Sequence, residues 1–327
     1  MAVMPAFIEL LKRGRIDRPN SDVLARIRAS YAYEAVVSID DMDAALELYE
    51  RVRTLPSTFT KKLVAAQGGL LVNGPLSHDT PKILTGSRLD GRPILVKLLI
   101  LGFDDTRQVN VRTAELNCEA DCCEKLAAVD QDHSYALVPY EVVAMDVTAD
   151  MVSQTRQSGA VKALVMPRYL GSIARAPSCP VIVVVREGRR IIDALRFMHR
   201  QGYVHMDVKG DNVFFDSDGV WFLGDFGSAC EIDSAVLSTT EGFYHSPILR
   251  QPARPKYDWF MLLVMLLIEL GDNKDEWAKK FVEDGNRNVS EARVHAEAQR
   301  IIANTTYGRD LIVIVEEIMG AYTSDEV

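Results

Sequence analysis

The sequence predicts an α+β protein in two lobes, a small sheet-rich one carrying a single helix and a larger helix-rich one. Between residues 61 and 103 short apolar runs are broken by Gly, Pro, Asn and Asp, and two more strand-like runs lie near 135–146 and 161–168. After Gly171 the apolar spacing turns helical, over about 186–201, 257–270, 275–283, 289–304 and 309–321. Strands gathered first and helices second are the mark of this fold class. The densest group of polar residues falls between the first two of those helices, near the junction of the halves, where binding sites collect.

The elements follow in order. Residues 1–58 read as helices: Asp40 and Asp41 stand where an N-cap is expected, Ala44, Leu46, Leu48 and Val52 give the periodicity, and Pro56 closes it. Residues 1–60 are therefore expected to be an appendage that docks on a partner or on the rest of the chain. Lys82–Thr85 and Arg92–Leu101 flank Asp90-Gly91, a hairpin signal. A helix is expected over about 109–129, with Val111, Ala114, Cys118, Cys122, Leu126 and Val129 on one stripe. That stripe explains Cys118, Cys122 and Cys123 better than a zinc cluster with His133, because no second ligand pair follows at finger-like spacing. Trp259–Ile268 is the longest apolar run, too short to span a bilayer, and reads as a buried helix.

Composition bounds the function. The 327 residues are 48% apolar and 25% charged, as in a soluble globular protein, and the formal charge of −9 argues against nucleic-acid or anionic-membrane binding. Five cysteines without framework spacing point to reduced thiols, and the apolar run around Glu9 has no basic region before it, as a signal peptide would. An intracellular, cytoplasmic or nuclear setting is the expectation.

The chemistry lies between His205 and Gly227. Asp207 is a carboxylate able to accept the proton of an oriented hydroxyl, and Lys209 places a cation where a transferring group gathers negative charge. Asn212 and Asp225 offer hard oxygen ligands suited to magnesium. These residues sit on loops around a short hairpin turned by Asp218-Gly219.

His205-Met206-Asp207-Val208-Lys209-Gly210-Asp211-Asn212 and Asp225-Phe226-Gly227, at their mutual spacing, resemble the catalytic and metal-binding loops of the protein kinase superfamily. The resemblance covers about residues 61–327. It implies a lobe over 61–166, a hinge at 167–171 and a somewhat shortened helical lobe over 172–327. It further implies transfer of the γ-phosphoryl group of ATP, with Mg2+, to serine or threonine of a protein substrate. Asp207 would be the base, Lys209 its cationic neighbour, and Asn212 and Asp225 the metal ligands.

Ile94-Leu95-Val96-Lys97 is similar to the strand whose lysine holds the α and β phosphates, and a helix glutamate would orient that lysine. Glu115 and Glu119 border the helix stripe while Glu124 points away from it. The resemblance further implies an apolar residue one turn after this glutamate, which Glu119 has in Cys123 and Glu115 lacks, and so it selects Glu119. Leu164–Leu170 resembles the strand and hinge that grip adenine: Met166 stands at the gatekeeper position, Pro167 supplies a carbonyl and Tyr169 an N–H. Asp258 resembles the buried carboxylate that caps the catalytic loop.

The pattern also departs from the family. Only Gly74 stands between Leu70 and Ile83, where three glycines would let backbone approach phosphates, and Leu95 replaces a small alanine beside adenine. Met206 replaces the arginine that pairs with a phosphorylated loop, so activity independent of phosphorylation at Ser238, Thr239 or Thr240 is expected. Ser246-Pro247-Ile248 stands in place of Ala-Pro-Glu. The missing glycines and Leu95 favour the alternative, a pseudokinase acting as a scaffold.

Overall fold

A computed structural model describes residues 65–67, 70–76, 82–88, 91–100, 109–147, 159–240, 244, 248, 250–282, 288–304 and 308–324. The helices expected before residue 58, and Ser246-Pro247, lie outside the described residues. The chain divides into two compact units. The first holds the described residues up to Val109 together with Tyr140–Arg168, and the second those of Asn110–Pro139 and Tyr169–Val327.

The first unit is an antiparallel sheet of six strands. These are β1 (Ala65–Gln67), β2 (Leu70–Pro75), β3 (Ile83–Arg88), β4 (Pro93–Leu98), β5 (Glu141–Val147) and β6 (Gly159–Pro167), in the order β1-β2-β3-β4-β6-β5. The expected hairpin is present: Gly91 adopts φ 86° and donates its N–H to Arg88 O at 2.9 Å. Strand alternation decides the faces. Ile94, Val96 and Leu98 of β4 join Leu84, Val72, Met145 and Val165 in one apolar core. Leu95 and Lys97 therefore face the other way, and Leu95 is paired with Met166 across the β4–β6 ladder. The register of β2 against β3 shifts between Val72 and Pro75, where Gly74 lies.

The second unit is mainly helical: α1 (Val109–Val129), α2 (Val181–Arg200), α3 (Pro255–Glu269), α4 (Lys274–Phe281), α5 (Glu291–Ala303) and α6 (Arg309–Thr323). Its short strands are β7 (Gly171–Ser172), β8 (Tyr203–Val204), β9 (Val213–Phe215), β10 (Trp221–Leu223) and β11 (Cys230–Glu231). Trp259–Leu267 of α3 is buried on every side, as its unbroken apolar run requires. Among the described residues no helix is long and apolar enough to cross a membrane.

Two expectations need correction, the first on α1, whose contacts group it with the second unit and whose Cys118 thiol donates to Ala229 O at 3.1 Å. Its buried face is formed by Glu119, Ala120, Cys122, Cys123 and Leu126, whereas Ala114 is exposed and Val129 is 53% exposed. Residues 135–140 are not a regular strand: Leu137 forms a lone bridge to Leu223, and Pro139, without an N–H, cannot extend it.

Candidate active site

The site grows from a hairpin. Strands β9 and β10 pair antiparallel, with Phe215 opposite Trp221 and Val213 opposite Leu223. Their turn is closed by Asp216, whose Oδ1 accepts the N–H groups of Asp218 and Val220 at 2.9 and 3.0 Å, with Gly219 at φ 74°. The buried Glu187 of α2 accepts the Trp221 N–H at 3.1 Å and so holds the hairpin to the helix.

The loop before β9 is fixed from below by α3. The carboxylate of Asp258, fully buried in the first turn of that helix, accepts the N–H of His205 and of Met206, each at 2.8 Å, and meets His199 Nε2 at 2.8 Å. His205 is held by partners that leave it one tautomer. Its Nδ1 accepts the Asp207 N–H at 3.3 Å, and Nε2 must carry the proton, because Gly224 O at 3.1 Å can only accept. Its ring meets Phe226 edge-on, centroids 5.5 Å apart. Met206 occupies the left-handed region at φ 65° although its side chain is bulky and wholly buried.

Three of the predicted residues converge on one carboxylate. Asp207 Oδ2 accepts from Lys209 Nζ and from Asn212 Nδ2, both at 2.8 Å, and Asn212 Nδ2 also donates to the Asp207 carbonyl at 2.8 Å. The other oxygen, Asp207 Oδ1, is buried and has no hydrogen-bond partner among the described residues. A buried acceptor left open costs free energy unless a ligand supplies a donor. The amide of Asn212 is turned so that its nitrogen faces Asp207, which leaves Oδ1 for a cation.

The hairpin base fixes the backbone beside Asp225. The Gly224 N–H donates to Asn212 O at 2.9 Å, tying the residue before Asp225 to the residue that precedes β9. Asp225 itself adopts φ 58° and ψ 73°, a left-handed backbone that Asp tolerates better than most residues. This donor set, a carboxylate and an amide oxygen beside a buried open acceptor, fits hard Mg2+ carrying a nucleotide's phosphates. A cation held there by Asn212 and Asp225 would supply charge neutralisation of those phosphates.

The remaining predicted residues are placed as follows. Lys97 lies half-buried on the face of the first unit's sheet opposite its core, two residues from Leu95. Pro167 ends β6, paired with Ile94. Tyr169 belongs to the second unit, where its ring stacks on Phe214 at 5.9 Å and meets Phe222 at a tilt at 5.1 Å, and burial raises its hydroxyl pKa beyond the ordinary range. Of the three acidic candidates on α1, Glu119 is buried, Glu115 is half-buried beside Arg112 and Glu124 is exposed. Burial pushes the nearby thiols of Cys118, Cys122 and Cys230 up, the last to about 12, so all three stay protonated.

One neighbour of the site was only faintly marked in the sequence. Thr240 stood out in the sequence only as one of three hydroxyls open to phosphorylation, yet Lys209 Nζ donates to its Oγ1 at 2.5 Å.

The protein kinase domain family matches residues 140–312, more than half of the chain. The chain belongs to the protein kinase family. The matched stretch contains Pro167, Tyr169, Asp207, Lys209, Asn212 and Asp225, while Lys97 and Glu119 precede it. The kinase domain is 35% identical over 74 residues to the serine/threonine-protein kinase US3 homolog of Gallid herpesvirus 2 (strain GA), a stretch covering 21% of this chain and 18% of that protein. It is 33% identical over 85 residues to the serine/threonine-protein kinase US3 of Human herpesvirus 1 (strain 17), covering 24% and 17%. It is 36% identical over 99 residues to mitogen-activated protein kinase kinase kinase 17 of Arabidopsis thaliana, covering 29% and 27%. The chain thus spans less than a third of the length of these curated relatives.

Proposed function

We propose that this kinase domain is catalytically active and transfers the γ-phosphoryl group of ATP, with Mg2+, to serine or threonine hydroxyls of a protein substrate. The observation that carries this reading is the state of the Asp207 carboxylate. One oxygen is clamped by Lys209 and Asn212, and the other is buried without a hydrogen-bond partner among the described residues, an acceptor that a substrate hydroxyl would satisfy. A substrate hydroxyl donating to Asp207 Oδ1 is oriented for attack, and its proton has an acceptor at hand. Lys209 supplies positive charge beside the transferring group. Asn212 Oδ1 and the Asp225 carboxylate would hold the cation, and the family resemblance assigns Lys97 and Glu119 to the phosphates and the Pro167 carbonyl and Tyr169 N–H to adenine.

Contact of Lys209 with Thr240 supports serine or threonine as the acceptor, as does the likeness to serine/threonine-protein kinases. Met206, apolar and buried, offers no cation to a phosphate, which supports activity without phosphorylation of residues 238–240.

A second reading, a pseudokinase that binds without transferring, is favoured by Leu95. It shares a sheet face with Met166 and Lys97, where bulk opposes a purine. Incubation with labelled ATP, Mg2+ and generic acceptor proteins separates the two. Transfer that falls at least about 100-fold in Asp207→Asn, with nucleotide binding retained, supports the active kinase. Equal label in wild type and variant, or no thermal stabilisation by millimolar ATP and Mg2+, overturns it.

A further inference from the structure

Residues 238–240 carry three consecutive hydroxyl groups, each bonded to a different part of the site. Ser238 Oγ lies 3.0 Å from Ser228 Oγ, on the turn that follows Asp225. Thr239 Oγ1 donates to the backbone carbonyl of Met206 at 2.9 Å. Thr240 Oγ1 receives Lys209 Nζ, as described above.

The bond to Met206 bears on the chemistry more than the others. Met206 immediately precedes Asp207, and a bulky residue at positive φ is held there only where its surroundings over-determine it. Asp258 holds its N–H, at 2.8 Å, and Thr239 holds its carbonyl, at 2.9 Å. The two peptide groups flanking Met206 are thus pinned from opposite ends by one carboxylate and one hydroxyl. That carbonyl belongs to the peptide joining Met206 to Asp207, so its orientation sets where the Asp207 side chain begins.

We propose that Thr239 is a positioning residue. Its hydroxyl, acting through the Met206 carbonyl, keeps Asp207 in register, while Ser238 ties the same segment to the loop of Asp225. The clasp consists of neutral hydrogen bonds and needs no phosphate. A phosphoryl group on Thr239 would remove the donated proton and set negative charge near the carboxylates of Asp207 and Asp258, so it would loosen the loop rather than order it. This inference rests on the kinase reading above and deepens it, since it names what holds the site in register without phosphorylation.

Three variants test it on the full chain, in protein shown by intact mass to carry no phosphate. Thr239→Val keeps the shape and loses the hydroxyl, Thr239→Ser keeps the hydroxyl, and Thr239→Glu adds charge. The expected result is a kcat lowered about tenfold or more in the valine and glutamate variants, with KM for ATP changed less than about twofold, because a small misplacement of the base costs rate rather than binding. Serine should restore kcat to within about twofold of wild type. Full kcat in Thr239→Val, or wild-type activity that appears only after phosphorylation of residues 238–240, overturns the clasp. Amide hydrogen exchange over residues 203–212 reads the same tie without turnover: faster exchange in valine than in serine supports it, and identical protection sinks it. Absence of transfer in wild type with that exchange difference intact would instead sink the kinase reading.

Discussion

The carboxylate of Asp258 accepts the backbone N–H of Met206 at 2.8 Å, and this bond joins the first turn of α3 to the residue before the proposed base. Asp258 also accepts from His205 N and meets His199 Nε2, so one fully buried side chain serves three groups. Asp258→Ala leaves those groups without an acceptor, at about 1–3 kcal/mol for each buried donor. The expected loss of stability is about 3–5 kcal/mol, a fall of about 10 °C in Tm. Asp258→Asn retains one oxygen and should lose about half as much. Calorimetry checks both, and an alanine variant within about 2 °C of wild type would contradict the assignment.

Asp225 combines a left-handed backbone with a carboxylate proposed to hold the cation. Asparagine tolerates that backbone, so Asp225→Asn removes charge without adding strain. The melting temperature without nucleotide should change by less than about 2 °C. The stabilisation that Mg2+ adds to ATP, about 2.7 kcal/mol at a hundredfold excess over Kd, should largely disappear. A thermal-shift titration with ATP alone and with ATP plus Mg2+ measures the difference, and an unchanged magnesium increment would refute the role.

Gly86 of β3 has no room for a side chain, because a Cβ there would lie 2.4 Å from Leu71 O, a backbone atom of β2. Relief requires the strands to part, so Gly86→Ala should cost about 2–3 kcal/mol. Gly219 makes a useful contrast, since a Cβ there meets open space and only its φ of 74° opposes substitution. Gly219→Ala should cost about 1 kcal/mol. Chemical denaturation of both variants tests the ranking, and the reverse order would show that β2 yields easily.

Glu297 of α5 gives a pH dependence of definite sign. Burial works to raise its pKa, but hydrogen bonds from Arg300 and Lys280, at 2.5 and 2.7 Å, outweigh it and hold the carboxyl below its ordinary 4.5. A carboxyl whose pKa is lower in the folded state than in the unfolded one contributes stability above the unfolded value, and this is lost as pH falls through the folded value. Glu297→Gln should therefore cost about 1–2 kcal/mol at pH 7 and progressively less as pH falls below about 4.5. Unfolding curves at several pH values, wild type against variant, supply the test, and a penalty that grows on acidification would reverse the sign.

Much of the fold was legible because its signals are local. Trp259–Ile268 announced a buried helix by length and apolarity, and Asp218-Gly219 announced its hairpin by turn chemistry. Where local and tertiary demands diverged, the reading slipped. Residues 135–140 have the apolar content of a strand, but Pro139 and a single neighbour at Leu223 reduce them to one bridge. On α1 the apolar stripe was right at Cys122 and Leu126, which are buried, but its ends at Ala114 and Val129 are exposed while Glu119 is buried, a shift of the face that packing imposes.

Asp207, Lys209, Asn212 and Asp225 could be named from the sequence because one hairpin and its flanking loops bring them together over a short stretch of chain. Only the tertiary structure decided that Thr239 reaches back 33 residues to the Met206 carbonyl, and that Thr240 reaches Lys209 across 31. A hydroxyl has the same local signature whether it meets water or a distant carbonyl. What settles its partner is the path by which the chain returns, and that path is set by the packing of whole helices.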